Sequence, residues 1–137
     1  MSIKTHFLFV NRSAPYGSVN ALESLEVVLI TAALEQMTSL VFMDDGVYQL
    51  LNNQMPKESI GQKNYSKAFK ALADYDVNKV YVEKESLEQR GLSSGDLLDL
   101  PNKQLENGYD SDEPLLVVVC QKEITAIMNN CDVIYNF

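Results

Sequence analysis

The chain has 137 residues, 46% of them apolar, and a formal charge of −8. A chain of this length fits one domain and buries roughly two thirds of the surface its unfolded form exposes, which, with the apolar content, excludes a disordered polypeptide. No apolar run is long enough to span a bilayer, and an acidic chain whose 11 Lys and Arg are scattered is repelled by phosphate backbones, which argues against direct nucleic-acid binding.

The first residues, Met1 to His6, run straight into Phe7-Leu8-Phe9-Val10 without the apolar core and small-residue cleavage site of a signal peptide. A cytoplasmic location is therefore expected, with Cys120 and Cys131 as reduced thiols. The run over Thr5 to Val10 predicts a buried strand, ended by Asn11-Arg12 and a turn-rich loop, Ser13 to Gly17. Asn20 and Glu23 have capping-box spacing at the start of a helix. Leu22, Leu25, Leu29, Ala32 and Ala33 repeat along it at helical spacing, and Val27, Val28, Ile30 and Leu34 add apolar positions on its other faces.

Leu40 to Met43 predicts a second buried strand, closed by Asp44-Asp45-Gly46, with a short helix or turn over Val47 to Leu51. Asn52 to Gln62 reads as a polar loop, and Phe69 and Leu72 mark a helix over Tyr65 to Ala73. Lys79 to Val82 predicts a third strand. Ser86 to Gln89 has a second capping-box pattern, and Gly91 stands where a glycine would end a one-turn helix. Ser93 to Pro114 reads as a polar insertion with a possible strand at Leu97 to Leu100. Leu115 to Cys120 predicts a strand, Glu123 to Asn130 a helix with Ile124, Ile127 and Met128 inward, and Val133 to Tyr135 a last strand. Apolar strands alternating with helices predict one α/β domain over 1–137, with a mostly parallel sheet covered on both faces.

In such sheets ligands gather beyond the carboxyl ends of the strands. The loops expected there supply Arg12, Tyr16 and Gly17, then Asp44, Asp45 and Gly46, then Glu83. Paired carboxylates bind Mg²⁺ or serve as acid and base, but the same Asp-Asp-Gly suits a plain turn. Arg12 and Tyr16 suit an anion, though the glycine spacing of a phosphate loop is absent. Cys120, at a strand end beside Lys122, is the thiol candidate for sulfur carriage, and burial as a small hydrophobe is the competing reading. His6 is the lone histidine, so a zinc site is not expected, nor is a Cys–His pair with Cys120 or Cys131. No cofactor is expected.

Several segments together resemble the TusC/DsrF family of sulfur-relay subunits. They are Asn11-Arg12-Ser13-Ala14-Pro15-Tyr16-Gly17, Glu23 to Leu29, Asp44-Asp45-Gly46-Val47-Tyr48-Gln49-Leu50, Tyr75-Asp76-Val77, and Ser86-Leu87-Glu88-Gln89-Arg90-Gly91-Leu92. The first loop and the acidic segment before Leu115 are closer to the DsrF branch. The resemblance implies a three-layer α/β/α fold with a five-stranded parallel sheet. It also implies a hetero-hexamer with sister subunits of TusB/DsrH and TusD/DsrE type, served by a carrier protein of DsrC/TusE type. In that family the TusD/DsrE-type subunit carries a persulfide cysteine at a position that maps near Val82-Glu83. This chain has no cysteine there. A carboxylate does not hold sulfane sulfur, so the implied role is that of a non-catalytic subunit, in sulfur oxidation or in tRNA wobble-uridine thiolation.

Overall fold

The computed structural model describes residues 5–14, 20–34, 36–51, 69, 72, 77–100 and 114–137. Five strands pair in the order β4-β3-β2-β1-β5, and every pairing is parallel. They are β1 (His6–Asn11), β2 (Met37–Phe42), β3 (Lys79–Glu83), β4 (Leu116–Val119) and β5 (Val133–Asn136). Their helices are α1 (Asn20–Ala33), α2 (Lys84–Gln89) and α3 (Gln121–Asn129). A 3₁₀ helix, Asp44–Leu50, follows β2.

The pleat divides each strand between two cores. Phe9, Leu40, Phe42, Val80 and Val82 face the core that Leu25, Val28 and Ala32 of α1 enter, with Phe69, Leu72 and Leu87. Leu8, Val10, Val41 and Val119 face the other, which α3 covers with Ile124, Ile127 and Met128. The chain crosses the sheet from β1 to β4 and then returns to the far side of β1, reversing direction. Right-handed crossovers therefore put α1 and α3 on opposite faces. The apolar runs of the central strands follow from this coverage on both sides.

The expected parallel α/β architecture is present, with local differences. β2 begins at Met37, three residues before its apolar run, because Thr38 and Ser39 are buried while hydrogen-bonded. On α1, Val28 rather than Ala33 faces inward. Leu97 to Leu100 is not a strand: Leu97 makes one antiparallel bridge to Leu51 after a 3₁₀ turn, Ser94–Asp96. Ser86 is not a helix cap, since α2 has already begun at Lys84. The capping box forms instead at Ser93 and Asp96.

Gly91 does end α2. Its φ of +68° suits glycine. Leu92 N–H donates to Leu87 O at 2.9 Å and Gly91 N–H to Glu88 O at 3.2 Å, the paired bonds of a Schellman motif. The expected helix over Tyr65 to Ala73 lies mostly outside the described residues, though Phe69 and Leu72 are buried. No helix among the described residues is long and apolar enough to cross a membrane.

Candidate functional site at the carboxyl edge of the sheet

Parallel pairing puts the ends of β1, β2 and β3 side by side. Asn11 O accepts the Met43 N–H at 3.0 Å, and Gly46 N–H turns back to Met43 O at 2.9 Å. A Cβ on Gly46 would lie 1.9 Å from Asn11 O, so only glycine lets the 3₁₀ helix approach the end of β1 this closely. Asp44 opens that helix with a positive φ of 52°. Its backbone N–H donates to Ser86 Oγ at 2.8 Å, which ties β2 to α2.

Ser86 Oγ in turn donates to Glu83 Oε1 at 2.5 Å. Glu83, the last residue of β3, is 6% exposed. Its Oε2 is buried with no hydrogen-bond partner among the described residues. Arg90 closes the network from the end of α2. Its Nη2 and Nε meet Asp45 Oδ1 at 3.0 and 3.2 Å, and its Nη1 donates to Ser86 O at 3.1 Å. The Asp45 side chain is 60% exposed, which limits this ion pair to about 1 kcal/mol or less.

Glu85 carries the network to α3. Both its carboxylate oxygens accept the Gln121 N–H at 3.1 Å, placing negative charge at the positive end of that helix. Cys120, half-buried, precedes this turn, and its Sγ stands 3.4 Å from Glu123 Oε1. The side chain that it hydrogen-bonds is thus a carboxylate.

The residues expected at this edge divide accordingly. Asp44, Asp45, Gly46 and Glu83 come together, whereas Asp44 and Asp45 do not converge: Asp45 turns to Arg90 and Asp44 engages Ser86 through its backbone. Arg12 is exposed, and its backbone N–H donates to Phe137 O at 2.8 Å. Tyr16 and Gly17 lie outside the described residues. Among the described residues no group of three or more His, Cys, Asp or Glu side chains is placed to hold a metal ion. Sequence reasoning missed Ser86, Glu85 and Arg90 as members of the network. The signal for them in the sequence is the Ser-Leu-x-x-Arg-Gly-Leu segment, Ser86 to Leu92.

At the opposite, amino-terminal edge the structure corrects a further expectation. His6 Nδ1 lies 3.9 Å from Cys131 Sγ, and His6 Nε2 lies 3.1 Å from Ser39 Oγ. The pairing of β5 beside β1 brings together residues that periodicity could not connect.

A family model, the DsrE/DsrF-like family, matches residues 5–135. The chain belongs to the DsrE/DsrF-like family. Relatives in sequence include the intracellular sulfur oxidation protein DsrF of Allochromatium vinosum, 41% identical over 131 residues, which are 96% of this chain and 95% of that protein. A TusC homolog of Vibrio vulnificus is 42% identical over 90 residues, covering 66% of this chain and 75% of the relative. In structure the chain resembles the ychN protein from E. coli, with a TM-score of 0.75 at 21% identity over 97% of this chain and 99% of that one. That likeness shows the fold that this chain shares with the ychN protein.

Proposed function

We propose that this chain is a non-catalytic subunit of a TusBCD/DsrEFH-type hetero-hexameric sulfurtransferase complex in cytoplasmic sulfur relay. The observation that carries this reading is Glu83. At the carboxyl end of β3, where the family's active subunits place a persulfide cysteine, this chain holds a buried carboxylate committed to Ser86. An acid there cannot act as the sulfur nucleophile, because exchange needs a thiolate. The network fixes the shape of the edge instead.

A second feature supports assembly. Along α1 and the turn that ends it, Val27, Ile30 and Leu34 form an exposed stripe at helical spacing, with Ile30 61% and Leu34 67% exposed. Such a stripe on a helix whose other side is already packed suits a subunit contact. The partners this reading names are sister subunits of TusB/DsrH and TusD/DsrE type and a carrier of DsrC/TusE type. The near-complete coverage of a relative named for intracellular sulfur oxidation favours that pathway over tRNA thiolation.

Native mass spectrometry of the chain co-expressed with its genomic neighbours tests the proposal. A discrete hetero-oligomer containing this chain supports it. A chain that stays a monomer beside its co-expressed neighbours refutes it.

A further inference from the structure

We propose that Cys131 accepts sulfane sulfur from a low-molecular-weight persulfide at the amino-terminal edge of the sheet, with His6 as its base and Ser39 as the residue that orients His6. The arrangement has the three parts an activated nucleophile needs: the nucleophile, a base within reach, and a third group holding the base. His6 Nδ1 stands 3.9 Å from Cys131 Sγ, and His6 Nε2 meets the buried Ser39 Oγ at 3.1 Å. A hydroxyl both donates and accepts, so Ser39 serves either tautomer of the imidazole.

The backbone fixes the pair. His6 N–H donates to Asp132 Oδ2 at 2.8 Å, and Asp132 N–H donates to His6 O at 2.9 Å. These bonds clamp the start of β1 to the residue after Cys131. In the resting state the thiol donates to Ile127 O at 3.2 Å. Burial first, then the Asp132 carboxylate, raise the Cys131 pKa, so the thiol needs a base to react near neutral pH. The charged group that raises it is Asp132 on its own segment; the His6 ring reaches the thiol from β1, and behind that ring stand Ser39 from β2 and Asn78 before β3, both neutral. The side chain hydrogen-bonded to Cys120 is the Glu123 carboxylate, a weaker base than imidazole.

The step balances without an outside oxidant. The Cys131 proton passes to His6 Nδ1, and the thiolate forms a bond to the outer sulfur of the donor. The donor's S–S bond breaks, and the donor leaves as a thiolate that takes the proton back from His6. Thiol and persulfide exchange one sulfur atom, giving a Cys131 persulfide and a free donor thiol.

This inference takes its donor class from the sulfur-relay reading but leaves the role of Glu83 unchanged. The test uses the full chain with Cys120→Ser, glutathione persulfide as donor, and intact-mass and peptide-mass readout over a pH series. Expected is the gain of one sulfur atom on Cys131. With His6→Gln, uptake falls about tenfold near neutral pH, below the usual range for general-base catalysis because thiols also ionise unaided. The two rates converge at alkaline pH. Ser39→Ala, which keeps the base but loosens it, falls between them, and covers the case in which His6→Gln does not fold. No sulfur on Cys131, or uptake that follows thiol ionisation alone in the presence of His6, overturns the inference. Co-purification of the same variants with the neighbouring subunits separates the outcomes: intact assembly with no loading refutes this site and leaves the subunit reading standing.

Discussion

Ser86 Oγ lies 2.5 Å from Glu83 Oε1 and donates its only hydrogen there, while accepting the Asp44 N–H at 2.8 Å. One hydroxyl therefore satisfies a carboxylate at the end of β3 and a backbone donor just after β2. Ser86→Ala leaves both without that partner, and the other Glu83 oxygen is already buried with none among the described residues. The expected loss is about 1–3 kcal/mol of stability, read by chemical denaturation. Combining Ser86→Ala with Glu83→Leu should be less harmful than the two single losses summed, because the second change removes the stranded carboxylate. Simple additivity would mean that the two groups are not coupled.

Two glycines provide a contrast between contact and conformation. Gly46→Ala drives a Cβ to 1.9 Å from Asn11 O, a backbone atom that cannot swing away. The expected cost is about 3 kcal/mol, at the upper end of overpacking, with disturbance of the β1–β2 edge. Gly91→Ala meets nothing within 4 Å but keeps a φ of +68°. That strain is worth about 1–2 kcal/mol. Thermal melts of the two variants should rank in that order, and a Gly46→Ala protein as stable as the parent would contradict the close approach.

How far the sequence reveals this molecule depends on what each strand faces. β1 and β3 are legible because burial on both faces demands continuous apolar runs, and the half-buried edge strand β4 carries such a run too. The start of β2 is hidden, since Thr38 and Ser39 are polar and pay for burial with hydrogen bonds that no pattern announces. The loops at the carboxyl edge are legible as strand ends, but their chemistry is not. Ser86 reaches Asp44 across 42 positions, and Cys131 reaches His6 across 125. The Ser-x-x-Gln pattern of Ser86 and Gln89 fits a cap, whereas the hydroxyl bonds across the sheet edge. Pairwise spacing along a chain does not encode such meetings; strand order does.

The outer stripe of α1 gives a prediction that separates folding from assembly. Ile30 and Leu34 are exposed, so Ile30→Lys and Leu34→Lys should change stability by no more than about 0.5 kcal/mol. In a subunit that uses this face, the double variant loses its place in the hetero-oligomer. Native mass spectrometry of co-expressed proteins reads the second effect and denaturation the first. Unchanged assembly would remove α1 from the contact surface.

Alkaline stability tests the environment of Cys131. Burial, then Asp132, raise its pKa above the ordinary 9.0 in the folded protein. The native state thus holds the proton more tightly than the unfolded chain, whose thiol ionises first as pH rises. The sign follows from linkage: the contribution is fully present below the unfolded value and is lost as pH climbs through the folded one. Cys131→Ala has no thiol to ionise, so its stability should decline less than the parent's through that alkaline window. Denaturation midpoints of the two proteins, compared at neutral pH and on either side of 9.0, measure the difference. Parallel pH profiles would show that the thiol is as free to ionise in the folded protein as in the unfolded one, contrary to its packing against the end of α3.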